Sequence, residues 1–427
     1  MRILPIIPGM SDDFLLSDII RDERICTFFQ PIVSLKTGEI FAYEALTRGI
    51  RDESRSLIDP CALFAQADRE TCSLEFDLLC RKKALENFRK FHTNTEAMMF
   101  MNINTSVISS RDNETHHIGT ISRQMGFDPE NIGLELIESK ASSPDELMSF
   151  VRKYRDSGFL IVIDDFGCEH SNIDRLIQIH PDIIKVDRSI ISCIENDPYR
   201  QSILKSIHSL AEMTGSLCLA EGVETLAEIK TCHLLGVDLF QGFAIACPSP
   251  DIPRLEEATR TQVRILQGEI HTASMDALRR RRRLTGDINV LADWLIRQID
   301  PTNPESLTLV FQEFIAMNDE VECVYLLDSR GVQISETIVS PFVRLQSRPS
   351  IFQPARKGAD HAYKPYFACF EALGIQRYLT DVYLSLASGN LCRTFSVQLP
   401  CQSDAPCVLC MDFLEEPIRT PSAPKQS

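Results

Sequence analysis

Residues 160–167 read Leu-Ile-Val-Ile-Asp-Asp-Phe-Gly, an apolar run followed at once by two aspartates. A run with no polar residue predicts a strand that is buried on both faces, as in a parallel sheet covered by helices. Acids at the end of such a strand are typical of the catalytic face of an α/β barrel. This stretch therefore predicts a fold class and also the edge of the fold at which its chemistry takes place.

The same pattern of an apolar run and a polar tip recurs along the chain. The runs are Phe41–Tyr43, Met98–Ile103, Ile132–Leu134, Ile183–Ile184, Leu217–Ala220 and Val237–Phe240, and their tips are Glu44, Asn104, Glu135, Lys185, Glu221 and Gln241. Amphipathic stretches between the runs predict helices, and this alternation predicts βαβ units in a mainly parallel sheet. About eight strands, with no G-x-G-x-x-G after any of them, favour a TIM-type (β/α)8 barrel over an open doubly wound sheet.

Length and composition predict a multidomain protein with an anionic surface. A chain of 427 residues exceeds one ordinary core, and its net charge of −16 argues against binding nucleic acid through the general field. Its fifteen scattered cysteines are expected to be reduced thiols. No export signal and no apolar run near the ~20 residues of a membrane span are evident, so we expect a cytoplasmic protein without a membrane partner.

The remainder of the chain predicts three further segments. After a barrel domain over residues 1–253, Arg254–Arg283 and Asp287–Ile299 predict linker helices within residues 254–300. The five arginines at 279–283 fit a solvated helix surface better than a nucleic-acid or membrane patch. Residues 301–416 predict a smaller α+β domain with strands at Val321–Leu327, Asn390–Leu399 and Cys407–Phe413, and residues 417–427 predict a disordered tail.

The polar tips predict chemistry on a phosphate. Five acids, the amide of Asn104 and a lysine at one edge of a barrel would form an oxygen-rich metal site with a cation beside it. Mg²⁺ and Mn²⁺ prefer oxygen ligands, and two such ions assist attack of water on a phosphodiester. A lyase or a sugar hydrolase built on a carboxylate pair is the alternative, but it explains neither the lysine nor so many acids.

Seven motifs in order resemble the EAL-domain cyclic di-GMP phosphodiesterases. They are Glu44-Ala-Leu with Thr47-Arg48, Ile103-Asn-Thr-Ser106, Glu135-Leu-Ile-Glu138, Asp164-Asp-Phe-Gly167, Lys185-Val-Asp187, Glu221-Gly-Val-Glu224 and Gln241-Gly-Phe243. The resemblance extends from Phe29-Gln30-Pro-Ile32 to Phe243, about half of the chain. It implies an EAL-type barrel that hydrolyses cyclic di-GMP to linear pGpG with two Mg²⁺ or Mn²⁺ ions, and it favours a homodimer.

The resemblance also implies a role for each residue at the barrel edge. Glu44, Asn104, Glu135 and Asp164 would hold one ion, and Asp165 would help to hold the second. Lys185 would orient the attacking water, and Glu221 would act as the base or as a bridging ligand. Arg48, one helical turn beyond Glu44, would contact phosphate, and Gln30, Gln241 and Asp187 would contact substrate or water. Glu138 and Glu224 would support these groups, although they and Asp187 fit a structural role equally well.

The match fails in the loop after Asp164-Asp-Phe-Gly167. The family continues with T-G-[YF]-S-S, whereas this chain has Cys168-Glu-His-Ser-Asn172. If the lost glycine has a positive φ, Glu169 costs about 1 kcal/mol or more there, and it adds negative charge near an anion site. The loop therefore keeps open a second function, a barrel that binds cyclic di-GMP without cleaving it.

The C-terminal segment resembles a PAS/Cache-type sensor module. The runs that carry the resemblance are 364–367, 378–383, 388–390 and 409–412. The resemblance implies a pocket for a small molecule, with Lys364, Tyr366, Tyr383 and Asp412 as candidate lining residues. A dimerisation domain without a pocket is the alternative.

Overall fold

The computed structural model describes nine stretches of the chain. They are residues 14–51, 56–92, 97–104, 117–137, 144–168, 173–300, 303–341, 351–399 and 406–415. Glu138, four residues of the divergent loop (169–172) and the predicted disordered tail lie outside them. Two compact units are present, residues 1–276 and 277–427, and they divide inside the segment that the sequence assigns to the linker.

The first unit is the predicted barrel, with one antiparallel strand in its closed ring. Its strands are β1 (Ile25–Ser34), β2 (Glu39–Ile50), β3 (Leu57–Ile58), β4 (Met98–Ile103), β5 (Ile132–Ile137), β6 (Leu160–Phe166), β7 (Ile183–Val186), β8 (Leu217–Ala220) and β9 (Leu239–Phe240). The order β1-β9-β8-β7-β6-β5-β4-β2 closes through pairing of β1 with β2, and β3 extends β2 outside this ring. The strand β1 is antiparallel to both of its neighbours, whereas the pairs from β2–β4 round to β8–β9 are parallel.

Helices form the outer layer of this unit. They are α1 (Leu16–Arg21), α2 (Pro60–Arg69), α3 (Ser73–His92), α4 (His117–Gln124), α5 (Pro144–Asp156), α6 (Ile173–Ile179), α7 (Arg188–Ile191), α8 (Pro198–Thr214) and α9 (Leu226–Leu234). Their starts follow the capping rules: Asp197 accepts from two backbone N–H groups of α8, and Thr225 and Glu228 form a capping box at α9. The outward side chains of the strands pack under these helices in the largest core cluster.

A small apolar layer fills the inside of the barrel. It consists of Ile32, Ala42, Phe100, Val162, Ile183, Leu219 and Leu239, one side chain from each of seven strands. Strand β5 contributes Gly133, where a Cβ would lie 2.5 Å from Cδ1 of Phe100. Glycine at this position therefore leaves the space that the ring of Phe100 occupies. The layer is the floor on which the next inward-facing residues stand.

We expect Gly133→Ala to destabilise the barrel by about 1–3 kcal/mol, because the added methyl group overpacks the ring of Phe100. Urea unfolding followed by circular dichroism measures the change in the free energy of unfolding. Gly268→Ala is the control, because Gly268 is helical and an added Cβ there would meet no heavy atom within 4 Å. This control should raise stability by about 0.5–1 kcal/mol. Equal midpoints for Gly133→Ala and the wild type would contradict the packing argument.

One continuous helix, α10 (Ile252–Gln298), replaces the two linker helices that the sequence predicts. Gly286, at the expected break, is helical, and a Cβ there would meet no heavy atom within 4 Å. The N-terminal part of α10 packs in the barrel core through Val263, Leu266 and Ile270. The five arginines at 279–283 lie on the exposed surface of the helix.

The second unit is a six-stranded antiparallel sheet with helices on both faces. It contains α11 (Pro304–Met317), β10 (Val321–Leu327), β11 (Ile338–Val339), α12 (Pro365–Leu373), β12 (Arg377–Leu379), β13 (Tyr383–Leu384), β14 (Leu391–Leu399) and β15 (Cys407–Leu414). The order is β11-β10-β15-β14-β12, with β13 paired to β14. The end of α10 and α11 pack on one face, and α12 packs on the other. This unit matches the predicted α+β class and strands.

Across the helices that the structure describes, none combines the length and the hydropathy that crossing a bilayer requires.

Candidate functional site

Polar side chains form a second layer directly above the apolar floor of the barrel. Side chains on a strand alternate between its two faces, so a residue two positions from a floor residue also points inward. In this layer stand Gln30, Glu44, Asn102, Glu135, Asp164, Lys185, Glu221 and Gln241, each two positions from a floor residue or from Gly133. Several of these residues lie inside their strands, not at the tips that the sequence predicts, because β2, β5, β6 and β7 extend beyond the apolar runs.

Lys185 is the electrostatic centre of this layer. Its Nζ lies 2.7 Å from Glu135 Oε1, 2.9 Å from Asp164 Oδ1 and 2.5 Å from Glu221 Oε1, with Glu44 Oε2 at 3.6 Å. Lys185 is 1% exposed and Glu135 is 0% exposed. Water therefore screens these contacts weakly, and each charge depends on its neighbours.

The pKa values in the cluster show an excess of acid. Burial, together with the charges of Glu44 and Asp164, raises the pKa of Glu135 well above its ordinary range. Burial and the charge of Asp164 likewise raise the pKa of Glu221. Burial disfavours the ammonium of Lys185, but four surrounding carboxylates outweigh it and raise its pKa. A single ammonium thus faces more carboxylates than it can neutralise.

Glu44 is the acid that the surrounding groups hold ionised. Burial opposes its ionisation, but the Lys185 charge and the amide donors of Gln241 and Asn102 lower its pKa. Gln241 Nε2 donates to Glu44 Oε2 at 2.6 Å, and Asn102 Nδ2 donates to Glu44 Oε1 at 3.0 Å. Gln241 Nε2 also lies 3.3 Å from Gln30 Oε1, so the amide layer is continuous on this side.

A backbone irregularity brings two adjacent aspartates to the same place. Asp165 has φ of +54°, a left-handed conformation that is uncommon for a residue with a side chain. The pairing of β6 with β7 shifts register between Ile163 and Phe166 at this point. Such breaks re-aim a side chain and cluster at functional sites. Carboxylate oxygens of Asp164, Asp165 and Glu221 all lie within 4.8 Å of one another.

These residues fit a divalent cation. Their donors are carboxylate and amide oxygens, the ligands that Mg²⁺ and Mn²⁺ prefer. Within the described part of the chain, Oε2 of Glu135 is buried without a hydrogen-bond partner. A buried acceptor without a donor is costly unless a cation or proton faces it. A bound cation would also neutralise the carboxylates that Lys185 alone cannot neutralise.

The cluster opens into a cleft of about 380 Å³. Its walls include Asp187, Glu224 and two residues that the sequence analysis did not select, Arg188 and Phe243. Arg188 Nη1 lies 2.5 Å from Glu224 Oε1 and donates to the carbonyl of Gly222 at 2.7 Å. Asp187 accepts from the backbone N–H of Ser189 and caps α7. Asp187 and Glu224 therefore have structural contacts as well as places on the cleft.

Gly242 joins two of the motifs behind this cleft. A Cβ at Gly242 would overlap the backbone of Val223. The backbone N–H of Val223 donates to the carbonyl of Gln241, and that of Ala244 donates to the carbonyl of Val223. The Gln-Gly pair therefore fixes the Glu221–Glu224 segment through main-chain contacts. Phe243, 61% exposed, is left at the mouth of the cleft.

The structure places two predicted residues in a neighbouring cavity of about 450 Å³. Asn104, predicted to hold a metal, lines that cavity, and its backbone N–H donates to Asp77 Oδ1 at 3.3 Å. Asn102 is the asparagine that contacts Glu44. Alternation alone does not separate the two asparagines, because both share the face of Phe100. Asn102 belongs to the polar layer because it follows this floor residue by two positions inside β4, whereas Asn104 lies beyond the end of the strand at Ile103.

Arg48 also differs from its predicted placement. It lies on strand β2 and not one helical turn from Glu44, because residues 39–50 pair with β1. Its Nη1 donates to the carbonyl of Thr47, its guanidinium lies 5.7 Å from the ring centroid of Phe28, and it lines the same cavity as Asn104.

In the second unit, the four predicted sensor residues line one cavity of about 740 Å³. Asp412 and Tyr366 are buried in its wall, whereas Lys364 is exposed at the start of α12. Tyr383 reaches the acid indirectly: its hydroxyl lies 2.5 Å from Thr394 Oγ1, which donates to Asp412 Oδ1 at 2.7 Å.

Comparison with known proteins gives a family and several relatives. The family described as "EAL domain" matches residues 15–248. The uncharacterized EAL-domain containing protein YkuI of Bacillus subtilis is 21% identical over 88% of this chain and 91% of its own length. Its crystal structure, a complex with substrate c-di-GMP and calcium, has a TM-score of 0.69 at 22% identity, and the match covers 95% of this chain and all of that chain.

Two further relatives carry an activity in their names. PdeB of Escherichia coli, named a probable cyclic di-GMP phosphodiesterase, is 28% identical over 57% of this chain and 46% of its own length. NbdA of Pseudomonas aeruginosa, named a cyclic di-GMP phosphodiesterase, is 26% identical over 57% of this chain and 31% of its own length. This chain thus spans less than half of each, and the match covers roughly the length of the barrel.

Proposed function

The chain belongs to the EAL domain family, and from this premise we propose that it hydrolyses cyclic di-GMP to linear pGpG with two Mg²⁺ or Mn²⁺ ions. The observation that carries the proposal is the buried Lys185 among Glu135, Asp164 and Glu221, which come from separate strands. Relatives named as phosphodiesterases of this dinucleotide support the substrate class, as does the complex of YkuI with c-di-GMP and calcium.

The residues proposed to hold the ions follow from the polar layer. Glu44, Glu135 and Asp164 would hold one ion, with Asn102 taking the place first predicted for Asn104. Asp165 would help to hold the second, and Glu221 would bridge the ions or act as base. When bound, the ions neutralise phosphate charge and lower the pKa of the attacking water.

The remaining steps belong to side chains of this chain. Lys185 would donate to the attacking water and hold it in line with the phosphorus. Gln241 donates to the carboxylate of Glu44, and Gln30 accepts from the same amide of Gln241 and so helps to orient it. Arg188 at the cleft would contact a phosphate oxygen, because a guanidinium binds oxyanions through two N–H groups. Phe243 would stack on a guanine base, and Arg48 and Asp187 remain predicted substrate contacts.

The proposal is tested by incubating the full chain with cyclic di-GMP and Mg²⁺ or Mn²⁺ and quantifying linear pGpG by chromatography. We expect product from the wild type, and none from Glu44→Ala or Glu221→Ala. Glu44→Ala removes the carboxylate that accepts hydrogen bonds from Gln241 and Asn102, and Glu221→Ala removes the candidate base. Wild-type rates in both variants would exclude this mechanism.

The altered loop favours a second function, binding of cyclic di-GMP without hydrolysis. Cys168 and Glu169 stand where the family has threonine and glycine. Calorimetric binding with no pGpG at millimolar Mn²⁺ would select this receptor function. Restoring the loop with Cys168→Thr and Glu169→Gly should then raise the rate. No gain from the restored loop would show that these two residues do not limit turnover.

We also propose that the second unit senses a small molecule and regulates the barrel through α10, as a homodimer in the cytoplasm. The cavity that contains Lys364, Tyr366, Tyr383 and Asp412 supports the sensory role. The helix α10 supports the coupling, because it contributes core residues to each unit.

A further inference from the structure

The cavity of the second unit has aromatic walls. Four tyrosines line it, Tyr325, Tyr366, Tyr378 and Tyr383, on three strands and the helix α12. Its volume of about 740 Å³ is in the range of pockets that hold drug-sized molecules. Aromatic faces carry negative potential and attract cations.

Asp412 is a buried acid in the wall of this cavity. It is 4% exposed, and its two oxygens accept from Thr394 Oγ1 at 2.7 Å and from Cys323 Sγ at 3.3 Å. Both donors are neutral, and no Lys, Arg or His among the described residues forms an ion pair with this carboxylate. Lys364, the lysine among the described lining residues, is exposed.

A second buried acid, Glu322, lies near Asp412. Glu322 is 0% exposed; its Oε1 accepts from Ser385 Oγ at 2.7 Å, and its Oε2 has no partner in the part of the chain described. The register of β10 and β15 shifts between Val321 and Cys323, next to Glu322. Burial raises the pKa of Asp412 to about 7, and the charge of Glu322 adds to the rise against the hydrogen bond from Thr394.

We propose that this cavity binds a small organic cation, whose ammonium group lies against Asp412 and whose hydrocarbon part lies between the tyrosines. An anionic ligand would meet the buried carboxylate of Asp412, with the charge of Glu322 nearby. A neutral ligand would leave both acids without a compensating charge, which is costly in a buried site. A cation satisfies the acid and the aromatic walls together. The inference deepens the proposed sensory role of the second unit, and it is independent of hydrolysis by the barrel.

The test is isothermal titration calorimetry of the full chain with two cations and their neutral isosteres. The probes are 2-phenylethylamine against 2-phenylethanol, and choline against 3,3-dimethyl-1-butanol. We expect at least one cation to bind about tenfold or more tightly than its isostere. Failure of both cations to bind at millimolar concentration, or equal binding of each isostere, would overturn the proposal. Neither outcome bears on hydrolysis by the barrel, which product formation measures separately.

Two variants locate the cation. Asp412→Asn keeps the shape of the side chain and should weaken the cation about tenfold or more while leaving the neutral isostere unchanged. Asp381→Asn is the control, because it makes the same exchange at an exposed residue of the same cavity. Tyr378→Leu should also weaken the cation, so the proposal stays testable if Asp412→Asn fails to fold. Unchanged affinity in Asp412→Asn and Tyr378→Leu would place the cation elsewhere and overturn the proposal.

Discussion

Lys185→Met is expected to abolish hydrolysis of cyclic di-GMP, with a loss of roughly a thousandfold or more in kcat. The ammonium lies 2.5–2.9 Å from three carboxylates and is the cation of the polar layer. Methionine has a similar length but no charge and no N–H donor. The variant therefore removes the proposed donor to the attacking water and leaves the acids without their counter-ion.

The same substitution should also lower stability when metal is removed with EDTA. Taking one partner from a buried ion pair costs about 3–5 kcal/mol, because the remaining charges are left without compensation. Urea unfolding at neutral pH measures this loss. Added Mn²⁺ should restore part of the stability, since a cation can replace the lysine's charge, but it should not restore turnover.

Lys230→Met is the control for this substitution. Lys230 also lies 2.7 Å from a carboxylate, that of Glu269, but both side chains are partly exposed. Exposed pairs contribute about 0–1 kcal/mol, so this variant should keep wild-type activity and nearly wild-type stability. If Lys185→Met hydrolyses the dinucleotide at the wild-type rate, Lys185 does not act on the attacking water.

The barrel was predictable because its signal is local. Each parallel strand is an apolar run, and the chain alternates such runs with amphipathic helices over residues 28–248. The acids that we propose to hold the metal ions were selected because acids are rare inside apolar runs. What the runs did not reveal is where each strand ends: β6 continues to Phe166 and contains both Asp164 and Asp165. Hydrogen bonds to neighbouring strands determine this limit, and those neighbours are distant in sequence.

Two errors came from local patterns that tertiary contacts override. Arg48 follows Glu44 by four residues, a helical spacing, but pairing with β1 keeps residues 39–50 extended. Gly286 and Asp287 resemble a helix end, yet α10 continues through them. A single glycine inside a helix costs about 1 kcal/mol, which packing of Ile288 and Ala292 in the second unit offsets. Propensity alone could not decide either case.

The pocket of the second unit was predicted only through resemblance. Its tyrosines and Asp412 are spread over residues 325–412, and no spacing between them indicates a common cavity. Antiparallel strand pairing, such as that of β14 with β15, brings residues that are distant in sequence to one cavity. The buried Glu322 was missed because a lone acid in an apolar strand has the same pattern as a surface residue at a strand edge.

The choice between Asn102 and Asn104 gives the second large effect. Asn102→Ala is expected to reduce kcat/KM by about a hundredfold, the upper end for groups that hold or orient metal ligands. Asn102 Nδ2 donates to Glu44 Oε1 at 3.0 Å. In the parallel pairing of β4 with β5, Asn102 lies opposite Glu135. Without Asn102, Glu44 loses a donor that keeps it ionised, and the proposed ion would lose its proposed amide ligand. Half-maximal activity should therefore require more Mn²⁺.

Asn104→Ala is the matched exchange, and it should change kcat/KM by less than about tenfold. The hydrogen bond from Asn104 to Asp77 uses the backbone N–H of Asn104, which alanine retains. Hydrolysis measured across a Mn²⁺ titration compares the two variants directly. A large loss in Asn104→Ala with a small one in Asn102→Ala would restore the first assignment. It would also require the end of β4 to turn Asn104 into the acidic layer when metal binds. Two positions along the chain thus decide which side chain completes the site, because Asn102 lies within β4 and contacts Glu44, whereas Asn104 follows the last residue of that strand.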